Sequence, residues 1–123
     1  MEDILYIHKL AIDAHGGMLG VRDANALISA ISAPSHTFGG EFLHATIPAM
    51  AAAYWFSLSE NQPFLDGNKR TALLACETFL DVNGLKLSLD DDIRAYDVGM
   101  QIATGQLTKE GLVAVLESST MPR

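Results

Sequence analysis

The stretch Ser59–Leu80, SENQPFLDGNKRTALLACETFL, decides how this chain is read. Its second half, from Ala72 on to Val82, carries an apolar helical pattern that Asn83 and Gly84 bring to a stop. Ahead of that pattern, Asp66, Gly67, Asn68, Lys69 and Arg70 crowd an acid, a glycine, an amide and two cations into the helix mouth. The first backbone N–H groups of a helix have no internal partners, and the helix dipole places partial positive charge there. A glycine just before that turn lets a ligand come close to the backbone. Gly67 and Asn68 therefore describe an anion cradle at the start of this helix. Lys69 and Arg70 add full positive charge, and a guanidinium can grip phosphate through two parallel hydrogen bonds. Asp66 beside them suits Mg²⁺, which favours one or two carboxylates together with phosphate oxygens.

On the residues alone two readings stand. One is a site for nucleotide phosphates; the other is an ordinary Asp-Gly cap followed by a solvated Lys-Arg pair. Each cation in a first turn opposes the dipole by roughly a few tenths of a kcal/mol or more, and a chain that accepts this twice running hints at an anionic ligand. A Walker A loop is excluded, because the GxxxxGK[ST] spacing is absent.

The rest of the chain extends this helix into a bundle. Ile4, Leu5, Ile7, His8, Ala11 and Ile12 recur at helical spacing before Gly16-Gly17. Asp23 is placed to cap a second helix through Leu27, Ile28 and Ile31, closed by Pro34. Ser35 to Ala45 lacks a sustained period and reads as a loop or short hairpin. Thr46 caps a third helix, with Pro48 tolerated in its first turn and Tyr54, Trp55 and Phe56 as packing residues. LKLSL, from Leu85 on, alternates as a short strand. The acids Asp90 to Asp92 suit the start of a fifth helix running to Gly105. Thr108 opens a last helix through Leu112, Val115 and Leu116. The expectation is an all-α fold, a single compact bundle of about six helices over residues 1–123, with a loop or short hairpin at Ser35–Ala45.

At 123 residues, 49% hydrophobic and 19% charged, the chain can bury an ordinary core without disulfides or a structural metal. Its single cysteine, Cys76, reads as a core residue in a reducing compartment. A net charge of −7 argues against direct binding to nucleic acid, which needs a basic face. The longest apolar run, Ile47 to Phe56, is too short to span a bilayer, and the acidic N-terminus is unlike a signal peptide. The expected location is the cytoplasm. His8 and His15 lie seven apart, but no third ligand supports a metal there, so both read as core or surface histidines.

PFLDGNKR (63–70) resembles the signature of the Fic/Doc family, H-x-F-x-[DN]-[AG]-N-x-R, with Lys before the Arg in its Doc (death-on-curing) branch. The likeness extends along nearly the whole chain, through HGGMLGVRDANALISAI, FLDVNG and IATGQLTKEGL. The resemblance implies a single Fic/Doc domain in which Phe64 anchors the loop and Asp66 binds Mg²⁺. It further implies that Gly67 and Asn68 shape a phosphate-binding nest and that Arg70 holds further phosphate oxygens. Lys69 stands where many AMP-transferring Fic proteins have Gly. In the Doc branch this Lys accompanies reversed placement of ATP and transfer of its γ-phosphate. By the same resemblance the target would be a translation elongation factor, the partner a Phd-like antitoxin, and Ser35–Ala45 the target-docking flap. The self-inhibitory segment [ST]-x-x-x-E-[GN] of some Fic proteins has no N-terminal copy here, and LTKEGL lacks the hydroxyl residue at the required distance. Inhibition would then come from the antitoxin in trans.

One departure bears on mechanism. The family's His, which takes the proton from the target hydroxyl, aligns with Gln62. A glutamine has no titratable group near neutral pH and cannot act as general base. His36 and His44 lie in the flap segment, where a substitute base would have to come from; Glu41 reads only as an exposed acid. The expectation is a chain that keeps the binding site but is catalytically impaired. It would be either a natural pseudoenzyme or a toxin inactivated by a His→Gln change.

Overall fold

The computed structural model describes residues 1–38, 41–42, 46–89 and 92–123. Readings placed on Asp90, Asp91, His44 and the Glu41 side chain fall outside them. Among the described residues six α-helices form the body: α1 (Glu2–His15), α2 (Ala24–Ser32), α3 (Ile47–Asn61), α4 (Asn68–Val82), α5 (Asp92–Ala103) and α6 (Lys109–Ser119). A 3-10 turn, Ala33–Ser35, carries Pro34 off the end of α2.

Three of these helices start where short side chains can satisfy orphan N–H groups. Asp23 accepts from Ala26 N, Thr46 from Ala49 N and Thr108 from Gly111 N. Helix α4 differs: its N-cap is Gly67, with no side-chain cap and no acid in the first turn. It also begins four residues before the apolar pattern does, so Lys69 and Arg70 lie inside its first turn.

Helix α3 runs through the middle, against α2, α4, α5 and α6, while α1 lies along α4. Ala49, Ala51, Ala52 and Ala53 keep α3 slim enough for neighbours to approach, and Trp55 and Leu58 fill the space beyond them. Helix α4 answers with Ala72, Ala75, Cys76 and Leu80, a stripe at 3.6-residue period. Ile102, Leu112 and Leu116 complete the core from α5 and α6. Each large aliphatic side chain so buried contributes about 1.5–3 kcal/mol before the entropy cost.

Among the described residues there are also two small antiparallel ribbons. β1 (Thr37–Phe38) and β2 (Glu41–Phe42) pair Thr37 with Phe42, so the flap segment does contain a hairpin. β3 (Leu85–Leu87) is the expected short strand. Its partner β4 (Thr120–Pro122), formed by the C-terminal residues, had no alternation to reveal it. An exposed Arg123–Asp81 ion pair at 3.0 Å closes that ribbon.

Candidate functional site

The connection from α3 to α4, residues 62–67, holds the motif. Gln62 ends α3 in the left-handed region, φ 44° and ψ 58°, and is the one non-glycine with positive φ among the described residues. That geometry costs a residue with a Cβ about 1–2 kcal/mol. It turns the chain sharply, so that Pro63 and Phe64 dive into the core while the Gln62 side chain stays exposed. Phe64 is 1% exposed.

What Phe64 anchors against could not be read from its neighbours in sequence. The imidazole of His8, 2% exposed on α1, stacks on the Phe64 ring with centroids 3.8 Å apart and planes within 7°. His8 Nε2 sits 2.8 Å from the Asp66 carbonyl oxygen. A carbonyl can only accept, so Nε2 carries the proton. His8 is therefore a core histidine, but one that braces the motif loop. His15 is exposed and takes no part.

The segment between α1 and α2 runs beside the loop and pairs with it. Val21 bridges Phe64, Leu65 N donates to Gly20 O, and the backbone N–H groups of Arg22 and Asp23 both reach Pro63 O. Met18 N donates to Asp66 Oδ2 at 2.8 Å, which orients the carboxylate. Arg22 donates from Nε to Gln62 O at 2.7 Å and from Nη2 to Asn61 O at 2.9 Å. This segment read only as a turn, because its bonds join residues some 40 positions apart.

Gly67 follows at φ 75°, and a Cβ there would lie 3.1 Å from Ile12 Cδ1 and 3.7 Å from His8 Nε2. Glycine is thus required by left-handed backbone and by close packing of α1, in addition to any ligand approach. Asn68 staples the loop: its Oδ1 accepts from Phe64 N and its Nδ2 donates to Phe64 O, each at 2.9 Å. Its side chain is committed to shape, leaving the main chain of the helix start to face a ligand.

Beyond the staple, Lys69 and Arg70 are exposed. Lys69 Nζ rests 3.9 Å from Met100 Sδ on α5, and Arg70 has no hydrogen bond or ion pair among the described residues. An uncapped helix start with two cations that make no ion pair among the described residues suits an anion of the size and charge of phosphate. Asp66 is the one carboxylate in this turn, and the described residues hold no cluster of three or more metal-ligating side chains. Such a site fits a metal completed by phosphate and water, as Mg²⁺ prefers, and not a closed protein cage. His36 is exposed. No helix among the described residues is long and apolar enough to cross a membrane.

The Fic/DOC family model matches residues 1–80. This chain belongs to the Fic/Doc family. It is similar to a protein named Toxin Doc from Mycolicibacterium smegmatis, with 38% identity over 116 residues, covering 94% of this chain and 87% of that one. The match to the family model takes in the His8 helix, the Arg22 segment and the whole motif loop, so the brace and the braced turn lie within the family region.

Proposed function

We propose that this Fic/Doc chain is a Doc-like toxin of a toxin–antitoxin pair, built to transfer the γ-phosphate of ATP to a hydroxyl of a translation elongation factor. The observation that carries this reading is the start of α4. It has no side-chain cap, neither Lys69 nor Arg70 is ion-paired among the described residues, and the Asp66 carboxylate is oriented in the same turn by Met18 N. The name of the mycobacterial relative supports the toxin part of the reading. A Phd-like antitoxin is the proposed regulatory partner, and the cytoplasm the proposed location.

In this reading the α4 amides, Lys69 and Arg70 hold the phosphates. Asp66 holds Mg²⁺, which when bound offsets phosphate charge. Lys69 favours the orientation of ATP that presents its γ-phosphate. Asn68 and Phe64 act through the shape of the loop. Gln62 occupies the position from which a base would take the acceptor proton. Its side chain can hydrogen-bond the hydroxyl but cannot take the proton, and loss of a general base typically costs about 10²–10⁴ in rate. Binding does not depend on that group, so the chain is proposed to bind ATP·Mg²⁺ while transferring slowly.

The test restores the base. Gln62→His is expected to raise transfer of γ-label from ATP to elongation factor by roughly 10²–10⁴. Transfer of α-label instead would identify an AMP-transferring enzyme. Nucleotide binding without any transfer in the Gln62→His form would identify a non-catalytic binding protein.

A further inference from the structure

We infer that Arg22 is a positioning residue for position 62, holding its backbone in the left-handed turn that aims its side chain. The functional part of this inference rests on the reading above, in which position 62 faces the acceptor hydroxyl; the backbone part does not.

Four observations converge on it. Position 62 adopts φ 44° with a non-glycine residue, so something outside the turn must hold it there. The last turn of α3 has no basic residue of its own, and its final carbonyls would otherwise meet only solvent. Arg22 places its planar fork on two of them in succession, Asn61 O and Gln62 O, which are the carbonyls on either side of the position 62 peptide unit. The fork is itself fixed at both ends. The Arg22 and Asp23 N–H groups are tied to Pro63 O, and Asn61 Nδ2 donates to Ala26 O at 3.0 Å, in the first turn of the helix that Asp23 caps.

The result is a closed ring of hydrogen bonds joining the start of α2 to the end of α3. Rotation of residue 62 out of the left-handed region would swing Gln62 O away from Nε and break the ring. Because the Cα–Cβ direction follows from φ and ψ, Arg22 sets where any side chain at 62 points, glutamine or histidine alike. An ammonium cannot reproduce this, since it lacks the rigid fork that reaches two carbonyls at once. The proposed phosphate cradle begins beyond Pro63 and Phe64 in the chain and has its own supports in His8, Met18 and the Asn68 staple, so ATP binding should be indifferent to Arg22.

The experiment uses the full chain with Arg22→Lys and Arg22→Ala, each alone and combined with Gln62→His. Backbone NMR couplings and Cα shifts at Asn61–Pro63 report the conformation of residue 62. Calorimetry with ATP and Mg²⁺ reports the cradle, and γ-label transfer reports the chemistry. The expected result is loss of the left-handed signature at 62 in both variants, ATP affinity changed by less than about threefold, and kcat of the Gln62→His form lowered roughly 10- to 100-fold with KM for ATP unchanged. If Arg22→Ala does not fold, Arg22→Lys, which keeps charge and stem, carries the same test. A left-handed signature that persists in the folded variant overturns the inference. So does a fall in ATP affinity that matches the fall in kcat, since that would make Arg22 a general support. Should Gln62→His transfer nothing with Arg22 intact, the functional reading fails, while the NMR arm still decides whether Arg22 holds residue 62.

Discussion

Asn68 offers the sharpest separation between a residue that would bind phosphate and one that would build the proposed phosphate site. Its carboxamide exchanges two hydrogen bonds with the backbone of Phe64, whose N–H and C=O lie in a part-buried turn and have no other partner in the ladder of a helix or sheet. Asn68→Ala removes both. A net hydrogen bond contributes about 0.5–1.5 kcal/mol, but a buried group left without a partner costs about 1–3 kcal/mol. Two such groups, partly reachable by water, put the expected loss at about 2–4 kcal/mol. For a chain of this length each kcal/mol moves Tm by roughly 3–6 °C, so Tm should fall by roughly 6–24 °C. Asn68→Asp separates the two bonds. It keeps the acceptor for Phe64 N and adds a favourable charge at the α4 N-terminus, but sets an oxygen against Phe64 O. It should therefore lie between wild type and Asn68→Ala. The assay is urea and thermal unfolding without nucleotide, followed by ATP·Mg²⁺ titration at a temperature where each variant is folded. If Asn68→Ala loses ATP affinity while its unfolding curve matches wild type, the side chain contacts ligand directly and the staple argument is wrong.

Two further outcomes follow from buried groups. The Thr71 hydroxyl is wholly buried one turn into α4 and has no hydrogen-bond partner among the described residues. Thr71→Val should therefore stabilise the chain by about 1 kcal/mol, and an unchanged or lower urea midpoint would contradict this. Burial pushes the Cys76 thiol well above its ordinary range, with the neighbouring Glu77 charge adding to the shift. Tyr54 is raised in the same direction, by burial first and the Asp3 carboxylate second. A raised acid keeps its proton in the folded chain while the unfolded chain gives it up. Stability is then complete below the unfolded thiol value of about 8.5 and falls as pH rises beyond it, by at most about 1.4 kcal/mol per pH unit for the thiol. Cys76→Ala should flatten the decline between about pH 8.5 and 10, ahead of the tyrosine range. An equal slope in both chains, measured by urea unfolding, would show that the thiol is not held neutral.

Much of the bundle was legible because its determinants are local. Asp23, Thr46 and Thr108 each cap an N–H three residues ahead, a relation fixed by helix geometry wherever the helix packs. The apolar stripes of α1, α4 and α6 declare their buried faces through spacing alone. The start of α4 was less clear: its first four residues are polar or charged, so periodicity placed the apolar pattern at Ala72 while the backbone turns helical at Asn68. β4 was invisible for a related reason, since three residues become a strand only when β3 is there to pair with them.

The same division runs through the candidate site. The sequence by itself determined which groups are available: one carboxylate, a glycine, an amide and two cations within five residues, and a glutamine where a base would stand. These lie on one turn, so chain connectivity alone brings them together. Only the tertiary structure decided how they are held. His8 reaches Asp66 across 58 positions, Met18 reaches its carboxylate across 48, and Arg22 reaches Gln62 across 40. Such partners follow no sequence period, because they depend on α1 and the segment before α2 packing against the loop. The Asn68 staple, by contrast, is local, joining Asn68 to Phe64 four positions back, whereas that packing makes Arg22 the group that fixes the backbone at position 62.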